Sequence, residues 1–180
     1  MSTLFSLAAR FAPRVPCSHL PFLTMIPLLA LSGCAQPWQG FQTGQSDSAL
    51  IARLGPPHEV YLLPDGGKRL MWPTQPMGEV TTAADVDRMS RIVSVRQVLQ
   101  RDGFSRAEIG KWTRHDVLIS FGQPEDKAYF PLTQREVWTY RFKDGPWYQL
   151  YHFYFDNEGV LRLTQNSMDL LNDQSPHDAF

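Results

Sequence analysis

The sequence predicts an α+β fold of two tandem α(α)βββ units, in which short helices pack on antiparallel sheets. Three observations predict it. A capped-helix motif occurs twice at a constant offset of 67 residues, each copy precedes β-prone segments, and turn-forming residues separate those segments. The size agrees: 180 residues at 43% hydrophobic and 19% charged can bury one ordinary core or two small ones, which excludes a large multidomain enzyme. A formal net charge of −1 argues against affinity gained by neutralising phosphates, so nucleic acid is not an expected partner.

The N-terminus reads as an export signal. Arg10 and Arg14 precede an apolar run from Pro21 to Gly33 that is shorter than the ~20 residues of a spanning helix. Residues 1–33 are expected to be removed as a signal peptide. The run closes on Leu31-Ser32-Gly33-Cys34, which resembles a bacterial lipobox. That resemblance implies cleavage before Cys34 and a covalent lipid on its thiol. Several acyl chains anchor durably, because each buried methylene adds about 0.8 kcal/mol while a single chain is marginal. Loss of residues 1–33 removes two arginines and no acid and leaves 15 basic against 18 acidic residues, a charge of −3. The second cysteine, Cys17, falls in the removed segment, so neither a disulfide nor a cysteine metal site is expected in the body. Ala35 and Gln36 follow the lipidation site, and the absence of Asp there is associated in enterobacterial lipoproteins with transfer to the outer membrane. Residues 34–45 are expected to be a lipidated linker.

The first unit, residues 46–100, begins Ser46-Asp-Ser-Ala-Leu50-Ile-Ala-Arg-Leu54-Gly55-Pro-Pro57, and the second, residues 101–165, repeats it as Thr113-Arg-His-Asp-Val117-Leu-Ile-Ser-Phe121-Gly122-Gln-Pro124. Ser46 and Thr113 are N-cap residues, and Asp116 completes a capping box. Leu50 with Leu54, and Val117 with Phe121, lie one turn apart on one helix face. Gly55 and Gly122 are expected to adopt a left-handed conformation that ends each helix, and Pro57 and Pro124 prevent its continuation. Further along, Met71-Trp72 aligns with Val137-Trp138 if the second turn is one residue shorter. Asp65-Gly66-Gly67 reads as a hairpin turn, and Asp156-Asn-Glu-Gly159 turns the aromatic segment Trp147–Phe155 into Val160–Leu163. In the first unit Ser90 stands where Gly159 stands in the second. Phe104 to Ile109 reads as a short extra helix opened by a Ser105/Glu108 capping pair. Residues 166–180 are polar and are expected to form a loosely held tail.

The helix with Leu/Phe-Gly-x-Pro, the Trp138-Thr139-Tyr140 segment and the Phe155-Asp156-Asn-Glu-Gly159 turn together resemble the BamE family, also called SmpA/OmlA. The resemblance covers the second unit from about Phe104 to Gln165 and, in the first, only the helix, Pro57 and Trp72. It implies a lipoprotein of the β-barrel assembly machinery, facing the periplasm from the outer membrane. Two tandem units are also similar in architecture to the β-lactamase inhibitor protein. Fold likeness alone does not transmit function.

No nucleophile elbow, zincin motif or phosphate-cradling glycine loop occurs in the mature chain. His152 and Asp156 share a strand face but lie about 13 Å apart along it. His115 and Asp116 sit at a helix start, where capping suffices. An enzyme is therefore not expected, nor any metal or any cofactor beyond the lipid on Cys34. Trp147, Tyr151, Phe153 and Phe155 share one strand face, and Tyr148, Leu150, His152 and Tyr154 share the other. The first set covers the helices. Tyr148, His152 and Tyr154 form a candidate partner-binding row, unless packing of the two units buries it between them. The expected function is a non-catalytic scaffold or accessory in outer-membrane protein assembly, docking on other envelope proteins including the β-barrel assembly machinery. The alternative is a tethered inhibitor or ligand-binding module.

Overall fold

The two capped helices form where the motif places them. In this computed structural model, which describes Gln36 and residues 38–171, α1 spans Ser48–Leu54 and α3 spans Arg114–Phe121. Leu31, Ser32, Gly33, Cys34 and residues 172–180 lie outside the described residues. Thr113 caps α3 with a full capping box: its N–H donates to Asp116 Oδ2 at 2.7 Å, and Asp116 N–H returns to Thr113 Oγ1 at 3.4 Å. The first copy departs from expectation: the N-cap of α1 is Asp47, not Ser46, and its side chain makes no capping bond, while Ser46 Oγ accepts from the Ser48 amide at 3.3 Å. Both helices end on a glycine of positive φ, Gly55 at 80° and Gly122 at 81°, whose amides close the last turn on Ile51 O and Leu118 O. Their ψ values of −179° and −167° place them in the mirror-extended region, a conformation essentially restricted to glycine, and not in the left-handed helical one.

Each helix is followed by a four-stranded antiparallel meander, one strand more than the three expected. The first sheet contains β1 Glu59–Leu62, β2 Lys68–Pro73, β3 Thr81–Val86 and β4 Ile92–Gln97. The second contains β5 Asp126–Phe130, β6 Arg135–Asp144, β7 Trp147–Phe155 and β8 Leu161–Met168. The outer strands β1 and β5 are short: β5 is mostly exposed and β1 alternates between half-buried and exposed residues.

The register corrects the alignment of the repeats. Glu59 pairs with Met71 and Asp126 with Thr139, so the second turn is one residue longer, and Trp72 corresponds to Tyr140 rather than Trp138. Their hydrogen bonds agree. Trp72 Nε1 donates to Gly55 O at 2.9 Å, and the Tyr140 hydroxyl donates to Gly122 O at 2.7 Å. The two aromatics thus satisfy the same orphan carbonyl at the end of each helix. The last turns match as well: Asp87 N–H bonds Arg91 O at 2.9 Å, and Asp156 N–H bonds Val160 O at 3.1 Å.

Two sequence expectations are corrected. The extra helix, α2, spans Arg101–Phe104 and not Phe104 to Ile109. Ser105 ends it, with Oγ donating to Asp102 O at 3.0 Å, while Glu108 pairs with Lys111 at 2.5 Å and caps nothing. Phe104 is drawn into the core with no exposure, and this burial fixes where the short helix sits. The expected tail from residue 166 is strand as far as Met168, and Asp169 is buried on Arg141 at 2.7 Å. The polar composition there is that of an edge strand.

The layers follow from strand alternation. One face of the first sheet, with Leu70, Trp72, Ala84 and Val86, packs with Ile92 on Leu50 of α1. The other carries Met71 and Ala83 into a second core with Phe104, Val117 and Phe121 of the following helices. Those helices lie in turn on Tyr140, Phe142, Phe153 and Phe155 of the second sheet. The order is α1, first sheet, α2 with α3, second sheet.

Candidate functional site: the outer face of the second sheet

The expected row lies on the face of the second sheet turned away from the helices, and so is not buried between the units. Antiparallel pairing sets its neighbours. Tyr154 pairs with Val137 and Leu163, His152 with Thr139 and Gln165, Leu150 with Arg141 and Ser167, and Tyr148 with Lys143. Tyr148, Leu150, His152 and Tyr154 are all half-buried, while Trp147, Tyr151, Phe153 and Phe155 occupy the opposite face. Phe104 stacks on Tyr151 at 4.5 Å there.

The polar ends of the row are held within the sheet. His152 Nδ1 lies 3.0 Å from Thr139 Oγ1 and its Nε2 lies 2.9 Å from Ser167 Oγ, so one imidazole braces three strands. Burial holds the His152 pKa below its ordinary value, which keeps the ring neutral near pH 7 with one nitrogen donating and the other accepting. The Tyr154 hydroxyl donates to Gln165 Oε1 at 3.0 Å, and Lys143 Nζ stands 5.2 Å from the centre of the Tyr148 ring. At the end of the face Arg141 is shared by Glu125 at 2.5 Å, Asp169 at 2.7 Å and Pro76 O at 3.2 Å. Burial pushes the Glu125 carboxyl above its ordinary range, Arg141 opposes the rise, and Asp169 and Asp126 add to it.

Ser167 and His152 are within proton-transfer distance, but Thr139, not a carboxylate, orients the ring. The amides of β7 face paired strands on both sides, so the central strand offers no converging donors for a developing oxyanion. The trio acts as a brace. Asp156 plays no part in it: its carboxylate holds its own turn through the Val160 amide at 2.9 Å and Arg162 at 2.6 Å. Val160 and Arg162 also lower the Asp156 pKa. Asp116 is spent on its cap. Among the described residues no group of three or more His, Cys, Asp or Glu is gathered as for a metal ion, and no helix is long and apolar enough to cross a membrane.

Thr139 and Ser167 were absent from the sequence-derived row. Alternation along β7 puts His152 and Tyr154 on one face, but only the register between strands brings two hydroxyls to the imidazole, and a single sequence does not encode register.

No protein-family profile and no curated protein matches the chain. Two solved structures align with it. One is a DUF4309 family protein from Bacillus subtilis, 15% identical over 74% of this chain and 86% of that chain, with a TM-score of 0.28. The other is described as a "putative beta-lactamase inhibitor protein" from Streptococcus mutans, 16% identical over 72% of this chain and 86% of that chain, with a TM-score of 0.30. At these scores neither likeness carries weight for fold or function. The α+β assignment rests on the sheets and helices themselves, and the BamE resemblance rests on its motifs alone.

Proposed function

We propose that this chain is a lipid-anchored, non-catalytic scaffold of the Gram-negative outer envelope, docking a partner protein on the outer face of its second sheet. The observation that supports it is the correspondence between repeats. Met71 corresponds to Thr139, and their partners Ala83 and His152 correspond in turn. The face holding Met71 and Ala83 is covered by the next unit's helices. Its counterpart, centred on Thr139 and His152, is covered by no helix among the described residues. Half-buried Tyr148, Leu150 and Tyr154, with satisfied or exposed polar ends, suit an apolar helical surface on a partner.

The layer order suits a tether. Gln39 O accepts from Arg53 Nη1 of α1 at 2.8 Å, and Phe41 packs in the core beneath α1. A lipid on Cys34 would hold that end of the stack to the membrane and present the second sheet to the periplasm. Barrel-assembly subunits are the partners implied by the motif resemblance.

The test places a photo-crosslinking amino acid at Leu150, and as a control at the exposed Ile51 of α1, in intact cells, with adducts identified by mass spectrometry. Adducts with envelope proteins at 150 but not at 51 are expected, and barrel-assembly subunits among them support the assembly role. A periplasmic hydrolase as the sole partner would favour the inhibitor reading. No adduct specific to position 150 overturns the docking face. Unchanged membrane fractionation of Cys34→Ala, with no acyl mass on Cys34 in the wild type, overturns the tether.

A further inference from the structure

A second site lies on the other side of the molecule's central layer, away from the proposed docking face. A cleft of about 350 Å³ opens between the first sheet and the helices of the second unit, lined by Arg69, Arg96, Arg106, Asp102 and, at its apolar wall, Val98, Trp112 and Phe121. That volume is within the range of small-molecule sites. Three guanidiniums and the Asp102 carboxylate line it, and a second carboxylate, Asp85, pairs with two of the three arginines, which leaves one positive charge in excess.

The arginines differ in what they have left to give. Arg69 is spent: Nε and Nη2 bond Asp85 at 2.5 and 2.9 Å, and Nη1 bonds Ile119 O at 3.0 Å. Among the described residues Arg96 commits only Nη1, to Asp85 at 3.1 Å and Ser94 Oγ at 2.5 Å, which leaves Nε and Nη2 to a ligand, and its side chain is 38% exposed. Arg106 has no ion pair among the described residues. Asp85, between Arg69 and Arg96, fixes the Arg96 guanidinium without consuming its fork. The wall is also preformed. A Cβ on Gly103 would sit 2.8 Å from Val98 O, so only glycine lets α2 close on the end of β4, and Trp112 is braced by Phe121 at 6.2 Å between ring centres.

We propose that this cleft binds a small organic anion, whose phosphate or carboxylate meets Arg96 and Arg106 while its apolar body lies against Trp112 and Val98. Guanidinium forks match the planar or tetrahedral oxygens of such groups, and the aromatic wall supplies the apolar contact.

The experiment titrates phenyl phosphate, inorganic phosphate and phenol into the full chain purified in non-ionic detergent, followed by calorimetry and by amide chemical shifts. Phenyl phosphate should saturate with a Kd at or below about 1 mM, shift the Gly103 and Ser120 amides, and bind at least about tenfold more tightly than inorganic phosphate or phenol. Arg106→Ala removes an exposed side chain that makes no ion pair, and should weaken binding by about tenfold at an unchanged unfolding midpoint. Binding should also fall as salt rises. Absence of saturation up to about 10 mM, an unchanged Kd in Arg106→Ala, or equal affinity for phosphate and phenyl phosphate overturns the proposal.

Discussion

Asp85 draws two arginines from neighbouring strands of the first sheet onto one carboxylate. Its carboxylate takes Arg69 at 2.5 Å and Arg96 at 3.1 Å on a face covered by the second unit. Burial alone would raise its pKa, but the Arg69 hydrogen bonds and charge, followed by Arg96, prevail and hold it below the usual 3.8. The sign follows: the folded state favours the ionised form, so the stabilisation is complete above the unfolded value and is lost as pH falls through the lower folded one. Asp85→Asn should therefore cost about 3 kcal/mol near pH 7, because Arg69 is left buried without its counter-charge. It should also flatten the loss of stability as pH falls below the ordinary carboxylate value of about 4. Urea unfolding across that range measures both, and a variant whose acid limb parallels the wild type would show that Asp85 is not the titrating group. The sequence does not single out this residue. Asp85 sits in an Ala-Ala-Asp-Val strand, and its two arginines come from β2 and β4, so the cluster exists only through pairing. By contrast Thr113, Gly122 and Tyr140 stand in or near the repeated motif and were legible, although the hydrogen-bond role that matches Trp72 to Tyr140 was not.

The turns between the third and fourth strands of the two units are a natural comparison at the level of elements, since the same hydrogen bonds close both. Gly159 adopts φ 84° at no cost, whereas Ser90 is held at φ 59°, a region that L side chains rarely occupy. Ser90→Gly should raise stability by up to about 1 kcal/mol, read as a higher urea midpoint at an unchanged slope. The reverse change in the second unit is not its mirror image. A Cβ on Gly159 would meet the Arg114 guanidinium, which also bonds Glu136 at 2.6 Å and Asp156 O at 3.0 Å, so Gly159→Ser should lose more than Ser90→Gly gains. Equal and opposite shifts would mean that backbone conformation alone decides the turn. The elements were legible where chemistry is local: caps, glycine stops and the Asp-x-x-Gly turn. The short edge strands β1 and β5 were less so, because an exposed strand needs little hydrophobic patterning. The start of α2 depends on where Phe104 is buried, which is a tertiary fact.

For the whole molecule, the question is whether two units that match so closely fold as two bodies or as one. The register answers through Met71. It is a strand residue of the first unit with no exposure, yet it belongs to the core built on Val117, Phe121, Tyr140 and Phe153 of the second. Arg69 adds a polar tie of the same direction, bonding Ile119 O of α3, and Gln123 N–H reaches back to the Glu59 carboxylate at 3.1 Å. The first sheet is therefore covered on both faces, and removing the second unit's helices would expose one of them. Met71→Ala should cost about 2–4 kcal/mol, since the site is enclosed by two layers that cannot both collapse into the space. The informative readout is amide hydrogen exchange. If the units form one cooperative body, protection should fall in α3 and β6 as much as in β2 and β3, by the factor that the lost stability sets. If exchange quickens only in the first sheet, the units open independently, and the covered face of the first sheet would lose its standing as the pattern for what docks on the second.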